Sequence, residues 1–297
     1  MELVVGTTWD SKVTSLMNEK KVYDAIRVFN SSVSRILAKA EKDSPPTEIE
    51  STVQRFLVEL ARIGHIHEIG RVLEAYLKNI EKLGLSAKYL LILTVFSPQL
   101  ANDIAKAKIF EKLFRFFYDD NESRLKPDAF DKLILEFLQW VFAIDSRAVP
   151  AETIFEVLLL IVSNLISGNE YEKTHNFLTH EKIAVFLSRN DRNKVLCSIV
   201  DSHLLLLMEK FQESVQLVHR LRERYEATKT DRLFSAGASI VLAVRAEDTD
   251  WFLESKTDVA THVGGRPVLQ KIELHLLNEI QTKFFPESNK NRALGFF

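Results

Sequence analysis

The residue types that could carry chemistry in this chain are its histidines, its single cysteine and one glycine pair. His65 and His67 stand two residues apart, so on a helix they point to different sides, and neither an HExxH pattern nor a Cys/His cluster accompanies them. We therefore expect a surface corner that carries two histidines rather than a metal site.

The cysteine and the glycine pair favour structural roles. Cys197 lies six residues before His203, which is not the spacing of helical neighbours, and apolar residues flank it. A nucleophilic thiol needs an electropositive, partly exposed setting, so we expect a small buried hydrophobic residue instead. The segment "HVGGRPV" (262–268) contains the glycine pair and Arg266, but it lacks the Walker pattern, and a loop is the better interpretation.

The acidic run "RAEDTDWFLE" (245–254) could suggest a pair of catalytic carboxylates. Nothing in the sequence brings a second reacting group near it, however. We expect a solvated corner whose Trp251 and Phe252 pack inward. Because no catalytic constellation emerges from these patterns, the sequence favours a protein that is not an enzyme and that uses no metal or cofactor.

Composition excludes several classes of protein. Thirty-nine Lys and Arg residues against 41 Asp and Glu residues leave a formal net charge of -2, so no bulk field recruits nucleic acid or an anionic membrane. The first residues lack the pattern of a signal peptide, and the most apolar stretch, residues 154–166, carries polar side chains. We therefore expect no membrane insertion. One cysteine fits a reducing compartment, and the cytoplasm is the expected location.

The elements that must position these residues are helices. Apolar residues recur at spacings of three and four, and Pro127, Pro150 and Pro267 each stand just ahead of such a segment. The stretch 194–208 is apolar enough for a buried strand, but its length and the absence of flanking turn residues favour a core helix. The sequence therefore predicts an all-α protein.

Four short segments share the form of a corner between two paired helices. In each, a polar residue and an apolar or aromatic residue precede an acidic residue and a new helix. The segments are residues 19–29, 63–73, 167–178 and 208–218. In the last corner, Phe211 is expected to pack inside the elbow. The recurrence predicts a single right-handed α-solenoid of antiparallel helical pairs over residues 1–297, similar to a tetratricopeptide (TPR) array.

Several segments also match those of one known family in order, spacing and length. They are "VYDAIRVF" (22–29), "NEYEKTHNFL" (169–178), "SIVLAVRAEDTDWFLES" (239–255) and residues 272–297. In these segments the chain resembles the Golgi-to-ER traffic protein four family, which works in the guided entry of tail-anchored membrane proteins. The resemblance implies a non-catalytic adaptor. Its N-terminal half, 1–147, would dock a targeting ATPase, and its C-terminal half, 148–297, would hold a ubiquitin-like protein.

The candidate site residues are therefore residues that could bind these partners. Charged residues of the first helices are candidates for the ATPase surface: Lys20, Lys21, Arg27, Glu74 and Glu81. Aromatic residues are candidates in the C-terminal half: Trp251, Phe252, Phe296 and Phe297. The last two could dock a partner or fold back on the chain itself. Two other helical-repeat adaptors remain alternatives, a SNAP-like vesicle-fusion adaptor and a proteasome-lid-like subunit.

Overall fold

A computed structural model describes residues 9–38, 47–82, 103–119, 127–143, 149–225, 232–262 and 266–286. Within these residues the chain forms fourteen α-helices and no strand, which confirms the all-α prediction. The helices are α1 (Trp9–Asn18), α2 (Val22–Leu37), α3 (Thr47–Arg62), α4 (Ile66–Lys82), α5 (Asp103–Asp119), α6 (Pro127–Ala143), α7 (Ala151–Ser167), α8 (Tyr171–Thr179), α9 (Glu181–Leu187), α10 (Asp191–Leu207), α11 (Phe211–Tyr225), α12 (Arg232–Ala246), α13 (Thr249–His262) and α14 (Pro267–Phe284). None of these described helices is long and apolar enough to span a bilayer.

Helix starts follow the local sequence. Pro127 and Pro267 are the first residues of α6 and α14, and Pro150 immediately precedes α7. A proline suits these positions because the first amides of a helix have no intrahelical acceptor. At α10 a side chain does the capping instead, since the Asn190 amide oxygen accepts the Asn193 backbone N–H at 3.2 Å.

The chain divides into two compact units, Met1–Val157 and Leu158–Phe297, with the division inside α7. Aromatic packing holds the first unit together. Phe29 of α2 stacks on Phe56 of α3 with 4.1 Å between ring centroids. One cluster of rings joins α5 to α6: Phe110, Phe114, Phe130, Phe137 and Trp140. The Trp140 indole N–H also donates to Asp103 at 3.1 Å, so its polar atom is satisfied.

Helix α10 forms the centre of the second unit. It packs against α8, α9, α11, α12 and α14. From Ile199 to Leu207 every side chain is buried, because neighbouring helices cover α10 on all sides. The predicted core helix over 194–208 is confirmed, and Cys197 within it is buried.

The four predicted corners are helix-to-helix turns of a single type, and a fifth turn of this type joins α12 to α13. In each turn one residue has a φ between 54° and 83°: Lys20, Gly64, Asn169, Glu209 and Glu247. The amide after it donates to the carbonyl five residues earlier, for example from Lys210 to Leu205 at 2.8 Å. This arrangement is the Schellman motif, which satisfies carbonyls at the end of the first helix.

Each corner also places the same position in the core. The residue five positions after the left-handed residue is fully buried in all five turns, and these residues are Ala25, Ile69, Thr174, Ser214 and Phe252. The buried position lies in the second turn of the new helix, on the side that faces neighbouring helices. The five corners thus share a backbone conformation, a hydrogen bond and a buried contact.

Two aromatic side chains at these corners differ from the prediction. Trp251 is 36% exposed, so its predicted inward packing is wrong, whereas Phe252 is buried and lies 4.8 Å from the Phe285 ring. Helix α13 buries one face, through Phe252, Ser255 and Val259, and Trp251 stands about 100° around the helix from Phe252, outside that face. Phe211 is 38% exposed rather than enclosed in its elbow. The space between α10 and α11 is taken by Ser214.

Candidate functional site

The basic candidates of the first unit gather at the first corner. Lys20 is the left-handed residue, and Lys21 and Arg27 follow it along the turn and α2. Lys21 Nζ lies 2.8 Å from Glu19, and the Arg27 guanidinium lies 3.8 Å from Asp24. Exposed pairs of this kind contribute little to folding. Because the Lys21 and Arg27 side chains are largely exposed, their charges are accessible at the surface, and their role in partner binding stays a prediction.

A residue that the sequence analysis missed lies beside them. Tyr23 is 68% exposed and stands one helical turn before Arg27 on α2. Tyrosine and arginine are both enriched in protein interfaces. The available signal was its position away from the apolar stripe of α2, which runs through Val22, Ile26 and Phe29.

The acidic candidate Glu74 joins α4 to α5. Its carboxylate accepts hydrogen bonds from Lys78 at 2.9 Å and from Lys112 at 3.2 Å, and these bonds lower the pKa of Glu74. The Lys112 stem passes over Gly70, where an added Cβ would lie only 3.1 Å from Lys112 Cε. Glu81 lies in the last turn of α4. Glu74 therefore has a structural role, and partner binding by either acidic residue stays a prediction.

The aromatic candidates of the second unit fall into three groups. Trp251 lies exposed in the first turn of α13. Phe252 is fully buried, which corrects its assignment to a partner surface, because a buried ring offers no contact area. Phe296 and Phe297 lie outside the described residues.

A pocket of about 590 Å³ lies in the second unit where several helix ends meet. Its walls come from the start of α11, the corner between α12 and α13, and the end of α14. Three rings supply apolar surface, namely Phe211, Phe284 and Phe285, and three side chains supply charge, namely Arg245, Glu247 and Lys283. The sequence did not reveal this pocket because its walls come from three separate segments of the chain.

Lys283 fastens the end of α14 to the corner between α10 and α11. Its ammonium group donates to the Leu207 carbonyl at 2.7 Å and pairs with Glu209 at 2.9 Å. The adjacent Phe284 ring meets Phe211 edge to face, with 5.5 Å between centroids. A cation at the C-terminal end of α10 is favourable because it meets the negative end of the helix dipole. One wall of the pocket is therefore held by both polar and aromatic contacts.

A buried polar contact joins α10, α12 and α14. The His203 side chain is fully buried, its Nδ1 lies 2.9 Å from Glu273 Oε2, and its Nε2 lies 3.3 Å from the Gly237 carbonyl oxygen. Both ring nitrogens thus have oxygen partners, as buried polar atoms generally require. The contact holds three helices together and presents no reactive group to solvent.

A second histidine pair lies nearer the surface, between α8 and α10. His175 Nδ1 is 2.6 Å from Asp201 Oδ1. Burial raises the pKa of Asp201, and the hydrogen bond from His175 opposes part of that rise. Cys197 lies one turn earlier, and burial raises the pKa of its thiol far above the ordinary range. The prediction of a small buried residue at Cys197 is confirmed, since such burial disfavours the nucleophilic thiolate.

The two histidines of the second corner both follow its left-handed residue, Gly64, and Ile66 lies between them. His65 precedes α4, and His67 is the second residue of that helix. Across the described ranges, no group of three or more His, Cys, Asp and Glu side chains comes together in a way that could hold a metal ion.

Comparison with known proteins identifies no family. No family model matches the chain, and no curated protein is significantly similar to it. The likeness to the Golgi-to-ER traffic protein four family therefore rests on the sequence segments named above.

Proposed function

We propose that this chain is a non-catalytic helical scaffold that brings two protein partners together. The observation that carries the proposal is the repeated corner, with one backbone conformation, one hydrogen bond and one buried position at five places. Repeated helix pairs bury a continuous core against one another and leave their outer faces for partners. We infer that these pairs stack as a right-handed, TPR-like solenoid.

The specific role that we propose is that of a cytoplasmic adaptor in post-translational targeting of tail-anchored membrane proteins to the endoplasmic reticulum. The N-terminal half docks the targeting ATPase, and the C-terminal half holds a ubiquitin-like protein. Exposed Lys21, Arg27 and Tyr23 support a transient, salt-sensitive contact in the first half. Exposed Trp251 supports an aromatic anchor in the second half.

A three-component reconstitution tests this role. The purified chain would be mixed with the targeting ATPase and the ubiquitin-like protein of the same organism, and the products separated by size-exclusion chromatography with light scattering. We expect one complex that contains all three proteins, and no association of the two partners when the chain is left out. Binding of one partner alone, or of neither, would reject the bridging role.

A further inference from the structure

Helices α4 and α5 of the first unit share a surface with an excess of positive charge. Five cations form ion pairs there with three carboxylates, those of Glu68, Glu74 and Glu111. The cations are Arg71, Lys78, Lys108, Lys112 and Arg115. Together these eight residues form the α4–α5 surface. Its net charge is +2, whereas the whole chain has a formal net charge of -2.

The residues of this surface form one row along each helix. On both helices they recur at spacings of three and four, which is the spacing of neighbours along a helix face. The two rows are Arg71, Glu74 and Lys78 on α4 and Lys108, Glu111 and Arg115 on α5. Lys112 connects the rows, because its ammonium group lies 3.2 Å from Glu74 of α4. The remaining charged side chains that the structure describes on these helices, Asp103 and Lys106, have opposite charges that cancel.

The cations of the α4–α5 surface reach further into solvent than most of its carboxylates. The Glu68 side chain is 8% exposed, whereas that of its partner Arg71 is 72% exposed. Glu111 is also more covered than both of its partners, Lys108 and Arg115. A molecule that approaches this surface therefore meets guanidinium and ammonium groups first.

Glu74 is the exception, since its carboxylate is half-exposed. Lys78 donates to one of its oxygens at 2.9 Å, and Lys112 donates to the other at 3.2 Å. Both bonds lower the pKa of Glu74, so the carboxylate stays charged and holds two cations in place. Because two cations share this one carboxylate, its exposure does not make the surface locally negative.

An exposed apolar residue lies in the same row of α5. Ile104 precedes Lys108 by four residues and is 41% exposed. From Ile104 to Arg115 the row extends about 17 Å along the helix, given a rise of 1.5 Å per residue. Protein interfaces typically combine apolar contacts with a rim of polar and charged residues. The row on α5 offers both within about three helical turns.

The balance of charge on this surface favours a protein partner over other polyanions. Proteins that bind DNA commonly neutralise about six to ten phosphates, and sites for anionic lipids carry about four to eight basic residues. A net charge of +2 is small for either task. An acidic protein segment needs fewer ionic contacts, and unlike a phosphate backbone it also supplies apolar side chains for Ile104.

We propose that the α4–α5 surface docks an acidic segment of a partner protein. Carboxylates of the segment lie against Arg71, Lys108 and Arg115, and an apolar side chain packs on Ile104. Ion pairs at an exposed surface speed association and weaken with salt, so the contact is a transient one. The surface lies on helices other than α2, which carries the basic candidates for the ATPase. The proposal therefore goes beyond the adaptor role and does not rest on it.

Binding of a designed peptide to the full chain tests the surface. The probe is a fluorescent amphipathic peptide of glutamate and leucine, about twelve residues long so that as a helix it matches the row on α5. Its charge control has lysine in place of every glutamate. We expect the glutamate peptide to bind at least about tenfold more tightly than the lysine peptide in fluorescence anisotropy. Equal affinity of the two peptides, or no binding of the glutamate peptide at millimolar concentration, would overturn the proposal.

A pair of charge variants locates the binding. Lys108→Gln/Arg115→Gln removes two cations from the row on α5, and we expect it to weaken the glutamate peptide about fivefold at low ionic strength. The matched control is Arg189→Gln/Arg192→Gln, which removes two exposed cations of the second unit and changes the net charge by the same amount. Its affinity should equal that of the wild type, and circular dichroism checks the folding of both variants. Equal losses in the two variants would show attraction to the overall charge and reject the α4–α5 surface.

The apolar contact is tested separately. Ile104→Ala should weaken the glutamate peptide about threefold, because it removes apolar area that the leucines cover. Leu135→Ala, at another exposed apolar residue of the first unit, is the control and should have no effect. When serine replaces the leucines of the peptide, wild type and Ile104→Ala should bind it equally. A difference that persists with the serine peptide would contradict the contact at Ile104.

Two further probes test the class of partner. A single-stranded DNA of about twelve nucleotides and vesicles that contain phosphatidylserine are titrated into the same chain at the same ionic strength. We expect both to bind more weakly than the glutamate peptide, because they offer Ile104 no apolar side chain. Tighter binding of either probe would overturn the assignment to a protein partner.

Discussion

At the scale of single residues, burial and a hydrogen bond shift the pKa of Asp201 in opposite directions. Withdrawal from water raises the pKa of its carboxyl group, and the hydrogen bond from His175 lowers it, but burial prevails. The folded chain therefore holds this proton more tightly than the unfolded chain does. The resulting stability is complete below the unfolded pKa, and it is lost as the pH rises through the folded pKa.

We expect Asp201→Asn to remove this pH dependence, because asparagine has no proton to release. From about pH 3.8 upward, the wild-type free energy of unfolding should fall relative to that of the variant, and the difference should level off above the raised pKa of Asp201. Urea denaturation at closely spaced pH values measures both quantities.

The companion variant is His175→Gln, which removes the group that lowers the pKa of Asp201. In this variant the loss of stability should continue to a higher pH than in the wild type. A difference between wild type and Asp201→Asn that does not change with pH would contradict this account.

At the scale of elements, the corners differ in how well their residues suit the left-handed conformation. Gly64 adopts a φ of 83° at no steric cost because it has no Cβ atom. Lys20 adopts a φ of 60° although it has one. The left-handed conformation costs roughly 1 to 2 kcal/mol at a residue other than glycine. The corners form nonetheless, because the two flanking helices and the shared hydrogen bonds determine the turn.

We expect Lys20→Gly to stabilise the first unit by about 0.5 to 1 kcal/mol, which is the relief of strain less the extra backbone entropy of glycine. Gly64→Ala should destabilise it by about 1 kcal/mol. No atom lies within 4 Å of a Cβ added at Gly64, so that variant reports backbone conformation alone. Changes of the same sign in the two variants, measured by chemical denaturation, would argue against this assignment of strain.

Helix α12 lies close to α10 at Gly237, a residue that has no side chain. A Cβ added at Gly237 would lie 2.6 Å from Ile199 Cγ2, which is too close for any real pair of carbon atoms. The close approach also lets the Gly237 carbonyl reach His203. Either the two helices or the Ile199 side chain must therefore shift if the glycine is replaced.

We expect Gly237→Ala to destabilise the second unit by about 1 to 3 kcal/mol through overpacking. Combining it with Ile199→Ala should cost less than the sum of the two single changes, by about 0.5 kcal/mol or more. Gly168→Ala is the control, since its Cβ would make only ordinary contacts of 3.4 Å or longer. Strict additivity in this double-mutant cycle would show that the two positions do not touch.

At the scale of the whole molecule, a scaffold that bridges two partners has two separate binding surfaces, so a mutation in one surface should weaken binding of one partner only. We expect Lys21→Glu/Arg27→Glu to weaken binding of the ATPase about tenfold at low ionic strength and by less at physiological salt. The affinity for the ubiquitin-like protein should not change. Trp251→Ala should weaken binding of the ubiquitin-like protein by about 2 kcal/mol if the ring is an anchor, and should leave binding of the ATPase unchanged. Val185→Ala, another exposed apolar residue of the second unit, is the matched control. Biolayer interferometry measures both affinities, and parallel loss of both partners would contradict separate surfaces.

By itself, the sequence determined the helices, four of the five corners and the buried helix around Cys197. These features depend on residues a few positions apart, so the spacing of apolar, proline and turn residues was sufficient to predict them. Only the tertiary structure decided that Phe252 is buried while Trp251 is exposed, since a helical register is oriented by what packs against it.

The same holds for the contacts between distant segments. His203 meets Glu273 across 70 residues, Lys283 closes the corner at Glu209, and the pocket takes its walls from three segments. Residues far apart in the chain come into contact only after the helices have packed, and the periodicity of the sequence does not predict such contacts. Local spacing therefore determined the helices and the corners that join them, and packing between helices distant in the chain decided the candidate site.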